Sequence, residues 1–384
     1  MTRRANDIPE WLAELASARG FSVRTRRGSR IGSDAAPFAI VLGDASSALA
    51  LGQPSSALSV GRAWIGGSFD IEGDLFEAMR VMQDMAPQVP VAFLRVLGFL
   101  RRLGRPLRSA TRDISSHYDL PTAFYELFLD PMRVYTCAYW RQESDTLEQA
   151  QRAKLDLVCR KLRLGDGDRL LDLGCGWGGL AIWAAANYGA RVHAVTLSAA
   201  QAARAAQSVR EAGLHDRVRV ECLDHRQVAT GQRFERIAAV GMIEHVGRHG
   251  YAALFARVRD WLEPDGLFLN HGITMRRGSA WSSQMEFLHH HVFPGLDLVD
   301  LSTTLASIEE SGLEVLDVEN LRPHYARTTR EWAQRLWQRR DEAVAIAGEK
   351  TWRIFVAYLA AASVAFTEGW IGLHQVVARR ASAR

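Results

Sequence analysis

Residues 170–181 read LLDLGCGWGGLA, an apolar run that gives way to a glycine-rich turn. Gly174, Gly176 and Gly179 satisfy G-x-G-x-x-G between a strand-like stretch and the helix-like GGLAIWAAANYG. Small residues there let backbone approach a ligand closely and leave helix N–H groups free to receive it. Alone, the motif fits either a dinucleotide or the nucleoside of S-adenosylmethionine. A dinucleotide site calls for Asp or Glu about 20 residues on, at the end of the second strand. The corresponding stretch, AVTLSAAQ (194–201), offers Thr196, Ser198 and Gln201 but no acid. The acid lies inside the motif instead, at Asp172 beside the loop, where a sulfonium or its ammonium tail is welcome.

Outward from the turn the chain alternates. Upstream, the helix TLEQAQRAKLDLVCRKL (146–162) places Leu155, Val158, Cys159 and Leu162 on one face and stops at Gly165 and Gly167. Downstream come strand RVHAVTL, helix SAAQAARAAQSVREAG, strands RVRVECL and RIAAVGM, a helix near YAALFARVRDWL, and strand GLFLNHGIT. Strands separated by helices predict a doubly wound parallel sheet with ligands at the carboxyl ends of its strands. Glu244 and His271 follow RIAAVGM and GLFLN, so both are expected on the ligand rim.

Residues 37–85 differ in character. FAIVLG, SALALG and ALSVGRAWIGGSFDIEGD are short apolar runs broken by Gly and Ser, read as strands with tight turns and closed by a helix LFEAMRVMQDM. Residues 89–112 read as an amphipathic linker helix, packed on a domain or lying on a membrane surface, with Val91, Leu94, Val96, Leu97 and Leu100 against a basic remainder.

With 384 residues, 48% hydrophobic and 23% charged, the chain suits two domains, or one large domain with an appendage, and excludes disorder, collagen and coiled coil. The longest apolar run, Ile354 to Phe366, is too short to span a bilayer and reads as a packed helix. The first residues carry arginines but no apolar h-region, and the four cysteines form no C-x-x-C pair. A cytoplasmic protein without a disulfide framework or structural zinc is the expectation. Three lysines occur (Lys154, Lys161, Lys350), all other cations being arginine. A GC-rich genome would produce that bias, but the placement is uneven. Arg101, Arg102, Arg105, Arg108 and Arg112 form one cluster, and Arg322, Arg327, Arg330, Arg335, Arg339 and Arg340 another. Arginine forks suit phosphate, in anionic lipid headgroups or nucleic acid. No RNA-binding signature accompanies them.

Seven segments carry a resemblance: HYDLPTAFYELFLDPMRVYTCAYW (117–140), LLDLGCGWGGLA, VTLSAAQ, GMIEHVG (241–247), NHGIT (270–274), HHVFPG (290–295) and RPHYARTTREW (322–332). In this order they resemble the cyclopropane-fatty-acyl-phospholipid synthases and the related mycolic acid cyclopropane synthases. The likeness covers roughly residues 110–384. The first hundred residues resemble, more loosely, the extra domain of the phospholipid-acting members. The implied fold is a doubly wound, seven-stranded class I S-adenosylmethionine-dependent methyltransferase domain with a smaller N-terminal α+β domain. The implied division is 1–100 for an accessory domain serving lipid or oligomer contacts, 101–116 for a basic linker, and 117–384 for the catalytic domain.

In that family the methyl of S-adenosylmethionine is added across a cis double bond of an acyl chain, and the ring closes when the new methyl loses a proton to a bound bicarbonate. The resemblance carries the bicarbonate ligands to Cys137, Glu244, His271, Ile273 and Tyr325. It carries the cofactor contacts to Tyr135 and Thr136, to Asp172, Gly174, Cys175, Gly176, Trp177 and Gly178, to Thr196, Leu197, Ser198 and Gln201, and to Asp224 and His225, where DHR replaces the family's commonest dipeptide. Implied partners are unsaturated phospholipids met peripherally at the inner membrane face and a homodimer, with no nucleic acid. Methyl- or methylene-branched products and an inactive lipid-binding module are the alternative readings.

The chemistry gives these residues sense of their own. An alkene is a weak nucleophile and needs alignment in a dry pocket. Aromatic faces favour a developing cation, and Phe124, Tyr125, Phe128, Tyr135, Tyr139 and Trp140 surround Cys137 in sequence, though such residues also serve ordinary packing. His289, His290 and His291 are adjacent, so their side chains diverge, and no metal role is assigned. Cys175 has no His near it in sequence to activate it, and its small size beside the turn explains it.

Overall fold

The computed structural model describes residues 8–43, 57–84, 120–277, 292 and 297–380. The linker helix 89–112, the first arginine cluster, the 101–116 boundary segment, SALALG and His289 to His291 lie outside the described residues, as does most of HHVFPG.

The described residues fall into two compact units. In the larger, β5 (Arg169–Leu173), β6 (Arg191–Thr196), β7 (Val218–Cys222), β8 (Phe234–Val240), β9 (Leu262–Met275), β10 (Leu313–Asn320) and β11 (Ile371–Arg380) form a sheet of order β10-β11-β9-β8-β5-β6-β7. β5 lies between β6 and β8, all parallel, so the glycine turn leaves the sheet centrally, where the strand order reverses. The doubly wound sheet expected from the strand–helix alternation is present, with one reversed strand near its edge. β11 runs antiparallel to both β9 and β10, and neither β10 nor β11 was legible among the strand patterns.

Alternation along the strands builds a core on each face. Leu170, Ala194, Ala238, Leu267 and Leu269 pack with Leu155, Val158, Cys159 and Leu162 of α5 (Leu147–Lys161) and with Ala181 and Ala184 of α6 (Gly179–Tyr188). Leu171, Val195, Ile237, Ala239 and Phe268 pack with Tyr251, Leu254, Phe255, Val258 and Trp261 of α9 (Arg248–Trp261). Local signals set the helix starts. Thr146 and Gln149 form a reciprocal capping box at α5, and the Ser198 hydroxyl caps α7 (Ala199–Glu211) by accepting from Gln201 N. The apolar run Ile354 to Phe366 lies within α13 (Glu349–Thr367). Among the described residues no helix is long and apolar enough to cross a membrane.

The smaller unit holds a four-stranded sheet, β2-β1-β3-β4, formed by β1 (Ser22–Thr25), β2 (Arg30–Ile31), β3 (Phe38–Leu42) and β4 (Phe69–Gly73). The strand reading of residues 57–65 is corrected: Ala57–Ile65 is a helix (α2). Val60, Ala63 and Trp64 are buried at i, i+3 and i+4, a helical face that the flanking Gly and Ser disguise. Leu336–Val364, which the sequence division placed in the catalytic segment, clusters by contact with this unit. Arg353 shows why. Its buried guanidinium donates to the carbonyls of Trp64 and Phe69 and pairs with Asp70 and Glu349, while Trp64 Nε1 donates to the Arg353 carbonyl at 2.8 Å.

The second arginine cluster is spent on its own chain. Arg327 stacks on Trp140 and donates to the carbonyls of Gln142, Glu143 and Asp145. Arg322 donates to the Phe366 and Thr367 carbonyls, Arg335 pairs with Glu148, Arg339 with Glu342 and Arg340 with Glu349.

Candidate active site

A cavity of about 420 Å³ opens at the carboxyl edge of β5, β6 and β8. Asp172 lines it from β5 and Gly174, Cys175, Gly176 and Trp177 from the turn that follows, while Thr196 ends β6, Leu197 and Ser198 form the next turn and Gln201 lies in the first turn of α7. Asp224 and His225 reach it from beyond β7, and Tyr135 and Thr136 from the segment preceding α5. Of the expected cofactor residues only Gly178 stands back from the cavity. It caps α6 at φ 86°, and a Cβ there would meet Ala205 at 3.2 Å. Gly176, at φ 55°, has open space where a Cβ would stand.

The floor of the cavity is electrostatically unusual. Burial pushes the Asp172 carboxyl up to about 7, opposed by nearby Lys154, and its Oδ2 has no partner among the described residues. Burial brings the Lys154 ammonium down to about 8 against the pull of Asp130, Cys137 and Asp172, and Lys154 Nζ donates to Thr136 Oγ1 at 3.0 Å. Sequence reasoning missed Lys154. The available signal was a lysine four residues before Val158, on an otherwise apolar face, in a chain that uses arginine nearly everywhere. His245, also missed, lines the cavity and is held neutral, its pKa lowered by burial to about 4. Asp224 is gripped through both carboxylate oxygens by Arg226, at 2.9 and 2.5 Å, which outweighs burial and keeps it below the usual carboxylate range.

The five expected bicarbonate ligands do not line this cavity but converge through adjoining elements. Glu244, in α8 (Ile243–Val246), accepts the Ile273 N–H on Oε1 at 2.7 Å. Ile273 sits opposite Leu373 in the β9–β11 register, and the Leu373 carbonyl accepts from Leu321 N. The Leu321 carbonyl receives both the Cys137 thiol, at 3.9 Å, and Tyr325 N, one turn into α11 (Arg322–Gln338). His271 lies two residues before Ile273 and meets the amide of Gln375 at 3.1 Å through Nδ1. Gln375 was not legible beforehand.

Burial lifts Glu244 to about 7, drives His271 far below the ordinary histidine value and raises the Cys137 thiol. At neutral pH the imidazole is neutral and Cys137 is a thiol. Glu244 Oε2 and His271 Nε2 are buried without partners among the described residues. Such groups cost free energy unless a guest satisfies them.

An aromatic wall joins the cavity to this cluster. Trp177 packs on Tyr125 at 5.0 Å, Tyr125 on Tyr135 at 5.7 Å, Tyr135 on Trp332 at 5.2 Å and Trp332 on Tyr325 at 6.1 Å. Phe124 and Phe128 pack beside it. Tyr139 stacks on His324, and Trp140 Nε1 donates to the His324 carbonyl and Thr328 Oγ1. The Cys175 thiol is raised well above its ordinary value by burial, which suits a packing residue and not a nucleophile.

The cavity fits a cationic nucleoside cofactor on three counts: the space beside Gly176, the unpartnered Asp172 oxygen, and the absence of an acid after β6. Fold and cavity define a class I S-adenosylmethionine-dependent methyltransferase. Residues 106–376 match the model of the mycolic acid cyclopropane synthetase family, and the chain belongs to that family. It is 42% identical over 334 residues to a probable fatty acid methyltransferase of Pseudomonas putida, covering 83% of this chain and 81% of that protein. It is 35% identical to cyclopropane mycolic acid synthase MmaA2 of Mycobacterium tuberculosis, whose structure covers 70% of this chain and 98% of its own with a TM-score of 0.68. Mycolic acid cyclopropane synthase CmaA1, solved with SAH and CTAB, aligns at 32% identity over 72% of this chain and 99% of its own, with a TM-score of 0.67.

Proposed function

We propose that the enzyme adds the S-adenosylmethionine methyl to a cis double bond of an unsaturated phospholipid acyl chain and closes a cyclopropane ring. The observation that carries this reading is the pair of unpartnered buried atoms, Glu244 Oε2 and His271 Nε2, beside the cofactor cavity. Methyl addition leaves a carbocation that must lose a proton, and ring closure takes that proton from the new methyl, so a base is needed at this place.

S-adenosylmethionine supplies the methyl, and a bicarbonate ion, when bound, supplies the base. The chain's residues do the rest. Asp172 receives the cofactor's cationic tail, with Lys154 keeping its carboxyl partly ionised. The wall from Trp177 to Tyr325 excludes water and presents aromatic faces to developing positive charge. Cys137, Glu244, His271, Ile273 and Tyr325 hold the anion: Ile273 fixes Glu244 through its backbone N–H, leaving Oε2 to meet the ion's hydroxyl.

The name of the Pseudomonas putida relative, a probable fatty acid methyltransferase, is equally met by a second reading, a methylene- or methyl-branched product on the same chains, formed when the cation loses a different proton. Lipid contact at the inner membrane face rests on the 101–112 arginines, since the 322–340 arginines are occupied within the chain. Purified enzyme, S-adenosylmethionine and cis-monounsaturated phosphatidylglycerol vesicles test the proposal, read as methyl esters by mass spectrometry and proton NMR. A ring-bearing ester supports it, a branched ester supports the second reading, and unchanged acyl chains reject both.

A further inference from the structure

The antiparallel register places Gln375 of β11 directly opposite His271 of β9, and both side chains are buried, 0% and 1% exposed. The Gln375 amide nitrogen lies 3.1 Å from His271 Nδ1, while His271 Nε2 has no partner among the described residues. We propose that Gln375 is a positioning residue that donates to Nδ1 and thereby fixes His271 as its Nε2–H tautomer, aimed at an anionic guest. The inference rests on the anion-assisted reading above.

A neutral imidazole carries one N–H and one acceptor nitrogen, and its partner decides which is which. The neutral form is secured by burial and by the cations Lys154 and Lys161. An anion accepts hydrogen bonds, so the ring serves it only if Nε2 bears the proton. Nδ1 must then accept, and Gln375 is the donor beside it. An acid at 375 would reverse the arrangement, because a carboxylate draws the proton to Nδ1 and leaves Nε2 as an acceptor facing an anion. The two strands hold the pair in register, so neither side chain can turn to water.

The test is ¹⁵N-histidine labelling of the whole chain, with the His271 ring assigned by its loss in His271→Asn and read by long-range ¹H–¹⁵N correlation. The parent is expected to show a protonated Nε2 and an unprotonated Nδ1, Gln375→Glu a protonated Nδ1, and Gln375→Met a mixture of both. In parallel, kcat on cis-unsaturated phospholipid vesicles falls by about tenfold or more in Gln375→Glu, as for other outer-shell partners of a working histidine, with S-adenosylmethionine affinity by calorimetry unchanged. A protonated Nδ1 in the parent overturns the proposal whatever the variants do, and so does an unchanged tautomer in a folded Gln375→Glu. The tautomer is read without turnover. A chain that forms no lipid product, yet shows the Nε2–H ring and its reversal, rejects the functional reading and leaves the pairing standing.

Discussion

Lys154 Nζ donates to Thr136 Oγ1 at 3.0 Å, and this single bond ties a buried cation to a wall of the cofactor cavity. Lys154 also holds down the carboxyl of Asp172, which burial alone would raise further. Asp172 attracts a cationic ligand only as a carboxylate. In Lys154→Met its pKa rises above the present value of about 7, so S-adenosylmethionine affinity near neutral pH falls by about tenfold. The pH of half-maximal affinity moves upward. Calorimetric titrations across pH measure both, and an unshifted profile would show that the two residues are uncoupled.

Gly176 is the position where the turn is open to a ligand. Its φ of 55° strains any other residue by about 1–2 kcal/mol, and its Cβ would enter free space. Gly176→Val should therefore fold with a modest loss of melting temperature and bind S-adenosylmethionine at least about tenfold more weakly. Parent-like affinity would mean the ligand approaches from another side.

Glu244 makes stability pH-dependent with a definite sign. An unfolded glutamate titrates near about 4.3, whereas the buried one holds its proton to about 7. The stabilising contribution is complete below the unfolded value and is lost as pH rises through the folded one. Glu244→Gln lacks this titration. Its melting temperature should gain on the parent's from about pH 5 to about pH 8, by up to ~3 kcal/mol in free energy. A constant offset across that range would mean the carboxyl is ionised throughout.

Arg327 separates packing from membrane contact. Its guanidinium stacks 3.8 Å from the Trp140 ring centroid and caps three carbonyls. Arg327→Gln should cost ~1–2 kcal/mol of stability and leave vesicle binding unchanged. Replacing Arg101, Arg102 and Arg105 together by Gln should instead weaken binding to anionic vesicles at low salt, by ~1 kcal/mol per residue. Vesicle sedimentation and calorimetry distinguish the two, and the reverse pattern would place the lipid surface on α11.

The glycine turn and the central strands could be read from the chain because each is a local pattern: a strand, a turn, a helix and their short-range caps; the other residues expected around the turn came from the family resemblance. Residues whose roles depend on distant partners could not be read. Gln375 has meaning only opposite His271, and Lys154 only once Thr136 and Asp172 surround it. The reversed strand β11 is recognisable through its pairing, not its composition. The helix Ala57–Ile65 was misread because Gly and Ser interrupt a run whose burial repeats at helical spacing. The arginines of α11 looked like a phosphate surface in sequence because their carbonyl and carboxylate partners lie elsewhere in the chain.

The central claim is that the new methyl loses a proton as the ring closes. Turnover with S-adenosylmethionine carrying a fully deuterated methyl, on vesicles of a cis-monounsaturated phospholipid, tests it most directly. Ring closure predicts an acyl product with no double bond that retains two of the three deuterons, in a ring methylene seen by NMR. A methyl-branched acyl chain retaining all three would contradict it.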